Sequence, residues 1–267
     1  MSPWQKLLEH PHSGGHFVQL YSSDDSALVN NVGHYLWQGL RRGEGVLVVA
    51  TADHQAALSQ YMSKLGADIQ RLLADGQLVT LDAHQTLASF MTAGQPDWNQ
   101  FENAIRGAMR RLKGREGVAG SRAYGEMVGI LWKARQFAAA IRLEQFWNKL
   151  MEQCAFSLYC AYAVDIFAQE FAPSNLDGVL CTHTHLIPAE PDGKLENALN
   201  RSMDDVLGTK AAELRALIGE KANPSWAVLP AAERTVLWLR KHLPAQAEDI
   251  LTRARRYYLA TESTLAG

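Results

Sequence analysis

Cysteine is scarce in this sequence. There are only three, Cys154, Cys160 and Cys181, in 267 residues, and no two of them make a CxxC pair. So few thiols cannot frame a disulfide-held secreted fold, and they fit a reduced compartment. Long apolar runs are missing too. No stretch approaches the roughly 18–20 residues that a membrane-spanning helix needs. The opening MSPWQKLLEHPHSGGH has no long apolar segment and no small-residue cleavage site, so it does not read as a secretory leader. A cytoplasmic location with no membrane partner is therefore expected. Neither sign of charge dominates: 26 Lys and Arg face 28 Asp and Glu. That balance leaves no electrostatic footprint for direct nucleic-acid binding.

The common catalytic and nucleotide motifs are also absent. A P-loop needs GxxxxGK[ST], so that backbone N–H groups cradle phosphates. The sequence has one Gly-Lys pair, Gly193-Lys194, and Leu195 follows it. Where a P-loop protein would place glycines after its first strand, this chain has Ser22-Ser23-Asp24-Asp25, whose acids would repel a triphosphate. Gly43-Glu44-Gly45 precedes a strand instead of following one, so it is not a dinucleotide fingerprint. HExxH, GxSxG and the kinase signatures do not occur. No catalytic residue, cofactor or metal is assigned on these grounds, and an enzyme is not the favoured class.

What is present is ample material for a globule. Hydrophobic residues make up 47% and charged residues 20%, a profile that excludes dominant disorder. Short β-type runs alternate with helical periods. His16–Tyr21, Gly45–Thr51, Gln77–Asp82, Val118–Glu126 and Phe156–Phe167 read as strands, with a sixth in Gly178–Ile187. The run Gly45–Thr51 (GVLVVAT) is apolar throughout, as in a strand buried on both faces of a parallel sheet. Helices are expected at 24–42, 51–66, 84–91, 97–111 and 135–152. This alternation predicts an α/β fold, mainly parallel, with helices on both faces. Near Pro188–Gly193 the composition shifts to a linker. Beyond it the chain reads as wholly helical, with breaks at Pro224, Pro230 and Pro244. The division is 1–190 for the α/β domain and 191–267 for the helical extension.

Ligands of parallel sheets bind outside the carboxyl ends of the strands. That rule singles out Arg122–Trp132. On a strand Arg122, Tyr124 and Glu126 share one face, and Glu126 ends it. The alternative is structural: an Arg122–Glu126 pair, or Glu126 capping the next helix. On the helix that follows, Glu144 and Asn148 are four apart and Trp147 lies beside them. They line a pocket, or else they face solvent. Cys181, His183 and His185 alternate as on one strand face, the start of a transition-metal site. One short run cannot supply every ligand, so His16, Cys160 or Glu126 would have to join. The competing reading is a histidine pair with no metal. In the tail, Arg253–Tyr258 mixes basic and aromatic side chains, but a solvated, salt-bridged helix face is the better reading. Val236, Leu237, Leu239 and Leu243 need an apolar surface, from this chain or from a second copy.

Taken in order, a series of short motifs resembles the MEDS domain. They are His16-Phe-Val-Gln-Leu-Tyr21, Gly43-Glu44-Gly45-Val-Leu-Val-Val, Tyr124-Gly-Glu-Met127, Leu143-Glu-Gln-Phe-Trp-Asn148, Leu158-Tyr-Cys-Ala-Tyr162 and Cys181-Thr-His183. That family is the sensory domain of methanogen and methylotroph regulators, named after a dichloromethane-responsive repressor. The similarity spans about residues 14–190. It implies a RecA/KaiC-like core without a working P-loop, and the sensing of small hydrocarbon derivatives in repressors or beside histidine kinases. Residues 1–13 are too short for the DNA-binding segment of the repressor type. The expectation is then a stand-alone module of signal transduction and transcription regulation. It would pass its state to a histidine kinase, a transcription regulator or another copy through the C-terminal helices.

The expected site has apolar walls from Trp132, Trp147 and Tyr162, polar groups from His16, Tyr21, Glu126, Glu144, Asn148 and His183, and Cys160 in its lining. It suits a small, mostly apolar molecule with one polar handle. Two alternatives stay open: a metal-dependent hydrolase or lyase using His183, His185 and Glu126, and a degenerate nucleotide-binding protein of RecA-like shape.

Overall fold

The chain enters its first strand through a Gly14-Gly15 turn, where Gly14 has a φ of +79° that a side chain would strain. In the computed structural model, residues 3–22, 25–114, 120–188, 193–221 and 229–265 are described. A short helix α1 (Pro3–Glu9) precedes β1 (His16–Tyr21), followed by α2 (Ser26–Arg41), β2 (Gly45–Ala50), α3 (Ala52–Lys64), α4 (Ile69–Ala74) and β3 (Leu78–Asp82). Then come α5 (Ala83–Ala88), the small antiparallel pair β4 (Met91–Thr92) and β5 (Gln95–Pro96), α6 (Trp98–Met109), β6 (Ser121–Gly125), α7 (Met127–Lys133), α8 (Phe137–Gln153) and β7 (Phe156–Ala163). The expected start of β6 at Val118 and the expected cap at Ser23 or Asp24 fall outside the described residues. The chain divides into two compact units, Met1–Ala163 and Val164–Gly267.

In the first unit five strands lie in the order β3-β2-β6-β7-β1, and every neighbouring pair is parallel. All six residues of β2 are buried, as its unbroken apolar run requires of a strand covered on both faces. The strand order decides which face each helix covers. From β1 to β2 to β3 the chain runs toward one edge of the sheet; from β3 to β6 to β7 it runs back. Right-handed crossovers in opposite directions put their helices on opposite faces. Accordingly α2 packs against α3, while α7 packs against α8 and β7, and α6 against α8. Side chains alternate to match. Arg122 and Tyr124 face α2, and Gly125 faces α8, whose Trp147 ring lies 3.6 Å from the place a Cβ would occupy.

Arg122 does not pair with Glu126. It lies fully buried at the opposite end of β6, with Nε 2.5 Å from Glu44 Oε2 and Nη2 3.3 Å from Glu44 Oε1. Its remaining donors reach the carbonyls of Leu8, Glu9 and Tyr35 at 2.7–2.9 Å. The guanidinium thereby ties α1, α2 and the β2 entry to the sheet, and its planar fork suits several acceptors at once. Gly39 of α2 is small for this reason: a Cβ there would meet Arg122 Cδ and Nε at 2.7 Å.

The second unit holds α9 (Pro173–Leu180), the short strand β8 (His185–Ile187), α10 (Lys194–Leu207), α11 (Lys210–Lys221), α12 (Ala231–His242) and α13 (Pro244–Leu265). The sixth strand expected within Gly178–Ile187 is β8, His185–Ile187, and the first part of that stretch is the end of α9. Pro173 starts that helix, where a missing N–H costs nothing, and Leu176, Val179 and Leu180 are buried at helical spacing. Met203, Ala211, Ile218, Leu239, Ala247 and Ile250 form a core among α10 to α13, which buries the apolar face of α12. Pro230 and Pro244 stand at helix starts as expected; Pro224 and most of the linker lie outside the described residues. Among the described residues, no helix is long and apolar enough to cross a membrane.

Candidate functional site

Two clusters of polar side chains lie in the first unit, one on each face of the sheet; the first is fully buried, and the second opens to solvent at Asp25. On the α8 face, His16 stands at the start of β1, Cys160 and Tyr162 alternate along β7, and Glu144 and Asn148 are one turn apart on α8. The neighbouring register of β1 and β7 (His16 opposite Leu158, Val18 opposite Cys160) brings them together. His16 Nδ1 is 2.8 Å from Asn148 Oδ1. His16 Nε2 is 3.2 Å from Glu144 Oε2 and 3.4 Å from Cys160 Sγ. The Cys160 thiol donates to Glu144 Oε2 over 3.5 Å, and the Tyr162 hydroxyl donates to Glu144 Oε1 over 2.6 Å. Glu144, Cys160 and Tyr162 are 0% exposed and His16 1%. Burial, and next the charge of Glu144, hold the Cys160 thiol and the Tyr162 hydroxyl well above their ordinary pKa ranges.

Aromatic rings wall this cluster. Trp132 stands edge-on to Tyr162 with centroids 5.5 Å apart. Trp147 is fully buried among Phe101 and Phe156. Its indole Nε1 has no hydrogen-bond partner among the described residues, which is uncommon for a buried donor. The alternative in which Glu144 faces solvent is thus corrected, because α8 presents it to the sheet.

The second cluster lies on the α2–α3 side, at the carboxyl ends of β2 and β6. Glu126 occupies the cap position of α7 but makes no cap bond there. Its Oε2 accepts from the Thr51 backbone N–H at 2.7 Å, and its Oε1 accepts from Tyr124 OH at 2.8 Å. His54, in the first turn of α3, contacts Glu126 Oε1 through Nδ1, and its Nε2 is 2.9 Å from Asp25 Oδ2. Tyr21 stands edge-on to the His54 ring at 6.2 Å. The hydrogen bond that His54 donates to Glu126 is the largest cause that lifts its pKa to about 9, against the opposing effect of burial. Burial and then the charges of Glu126 and Asp25 push Tyr21 up to about 12. His54 escaped the motif reading, although it sits just past the carboxyl end of a strand, where the binding rule for parallel sheets directs attention.

The structure therefore brings His16, Glu144, Asn148, Cys160, Tyr162 and Trp132 together, and separates them from Glu126 and Tyr21. The two carboxylates expected to converge, Glu126 and Glu144, lie on opposite faces of the sheet. In the second unit, His183 is buried before β8 with Nδ1 2.7 Å from the Val179 carbonyl. Cys181 caps α9 and is exposed. Cys181, His183 and His185 do not form a metal-ligand group among the described residues, because the helix end breaks the alternation on which that reading rested. Two surface grooves of about 580 Å³ each lie around α3 and α4, one along Gln55, Ser59 and Leu73, the other along Trp37, Arg71 and Gln77. Neither is lined by a residue of the two clusters.

The first unit is thus a parallel α/β sheet with a polar cluster on each face. The family model of the MEthanogen/methylotroph, DcmR Sensory domain (MEDS) matches residues 15–184. The chain belongs to that family of sensory domains. No curated protein matches it.

Proposed function

We propose that this protein senses a small, mostly apolar molecule carrying one polar handle, a simple hydrocarbon derivative, and relays its presence to a regulatory partner. The observation that carries this reading is the α8-side cluster. Four side chains with ionisable or hydroxyl groups converge there, out of water, with the Trp132 ring edge-on to Tyr162. Burying Glu144 costs free energy unless its oxygens are partnered. A ligand bound at such a group is read through hydrogen bonds that bulk water does not dilute. The output would pass to a histidine kinase or a transcription regulator, or to a second copy through the C-terminal helices. No catalytic step is invoked.

A thermal-shift panel of short haloalkanes, alcohols and amines tests the reading. A ligand that binds only the folded state stabilises it by about 2.7 kcal/mol at roughly 100 times its Kd. At least one compound should raise the midpoint in a saturable way, and Glu144→Gln should abolish that rise. A flat response across the panel, or a shift that Glu144→Gln leaves intact, would refute it.

A further inference from the structure

We infer that the first unit carries a transition-metal site of the zinc class on His16, Glu144 and Cys160. This goes beyond the sensory reading and is tested with metal alone. The three donor atoms, His16 Nε2, Glu144 Oε2 and Cys160 Sγ, form a triangle with sides of 3.2, 3.4 and 3.5 Å. In a tetrahedral site with bonds of about 2.0–2.3 Å, neighbouring ligand atoms stand roughly 3.3–3.8 Å apart. The triangle is thus close to one face of such a tetrahedron, and an ion just off its plane would lie about 2.1 Å from all three. The three side chains are fully buried, and they are among the residues able to hold an ion together.

The surroundings orient the donors as metal sites do. Metal-bound imidazoles commonly use their second nitrogen on a polar partner, and metal-bound carboxylates are themselves hydrogen-bonded. Here His16 Nδ1 meets Asn148 Oδ1 at 2.8 Å, which points Nε2 at the triangle. Tyr162 OH holds Glu144 Oε1 at 2.6 Å, which leaves Oε2 for the ion. One imidazole, one carboxylate and one thiolate suit Zn²⁺, Co²⁺ or Fe²⁺, whereas Mg²⁺ and Ca²⁺ take oxygen ligands. On binding, the Cys160 S–H bond breaks, a metal–sulfur bond forms and the proton passes to solvent.

The test uses the full chain, stripped with a chelator and titrated with Co²⁺. A thiolate-to-cobalt charge-transfer band and intense visible bands should saturate at one equivalent per chain, and Zn²⁺ should erase them. The bands should persist in a Cys154→Ser, Cys181→Ser double variant and vanish in Cys160→Ser. X-ray absorption on the zinc-loaded wild type needs no variant to fold. It should find one sulfur at about 2.3 Å with nitrogen and oxygen donors near 2.0 Å. No saturable band in the wild type, a band that survives in Cys160→Ser, or a zinc shell without sulfur would each overturn the assignment.

Discussion

The Tyr162 hydroxyl donates to Glu144 Oε1 across 2.6 Å, with both side chains wholly out of solvent. A hydrogen bond to a buried charge contributes about 1.5–3 kcal/mol. Tyr162→Phe should therefore lower stability by roughly that amount. In urea unfolding the midpoint should fall with an unchanged slope. A midpoint equal to that of the wild type would mean that Glu144 is held by its other partners alone.

Arg122 and Gly39 make a second, tighter pair. A Cβ on residue 39 would stand 2.7 Å from two atoms of a guanidinium stem that its hydrogen bonds hold in place. Gly39→Ala should destabilise by about 1–3 kcal/mol, as overpacking does, despite the better helix propensity of alanine. Arg122→Ala leaves the carbonyls of Leu8, Glu9 and Tyr35 without their donor and should cost roughly 1–3 kcal/mol for each buried acceptor left unpaired. Hydrogen exchange should report the second change first in α1, where the Leu8 and Glu9 carbonyls lose their donor.

The His54 cluster predicts a pH dependence. The folded-state pKa, about 9, lies above the ordinary 6.5. The protonated ring is the form that Glu126 and Asp25 favour, so its contribution is complete below about 6.5 and is lost as pH rises through about 9. Tm should decline across that window, and His54→Gln should flatten the decline. Melts from pH 6 upward, compared between the two proteins, decide it. Equal slopes would remove His54 as the cause.

In the second unit, Leu239 is 0% exposed within the α10–α13 core. Leu239→Ala should cost about 2–5 kcal/mol, the range for a large-to-small change that leaves a cavity. Denaturant unfolding followed by far-UV circular dichroism would measure it. A loss below that range would show that the helices close around the missing methyl groups.

Much of the fold was legible because its signals are local. The apolar run at β2, the 3.6-residue periods of α2 and α8, and the prolines at the starts of α12 and α13 each act through their own neighbourhood. Even the shared face of Glu144 and Asn148 follows from helical spacing. Where a local signal misled, a local competitor won: Pro173 begins a helix, and the alternation of Cys181, His183 and His185 breaks at its end.

The partners of those residues were set elsewhere. Arg122 found Glu44, 78 positions away, because β2 and β6 are neighbours in the sheet. His16 met Cys160 and Glu144 because β1 lies beside β7, a non-local pairing that no window of sequence contains. The fate of Glu126 and Glu144 depended on strand order alone. The chain passes β1-β2-β3 in one direction and returns through β6-β7, and right-handed crossovers then place α3 and α8 on opposite faces. Residue type and spacing supplied both carboxylates. The topology of the sheet put His54 opposite one and a His-Cys pair opposite the other.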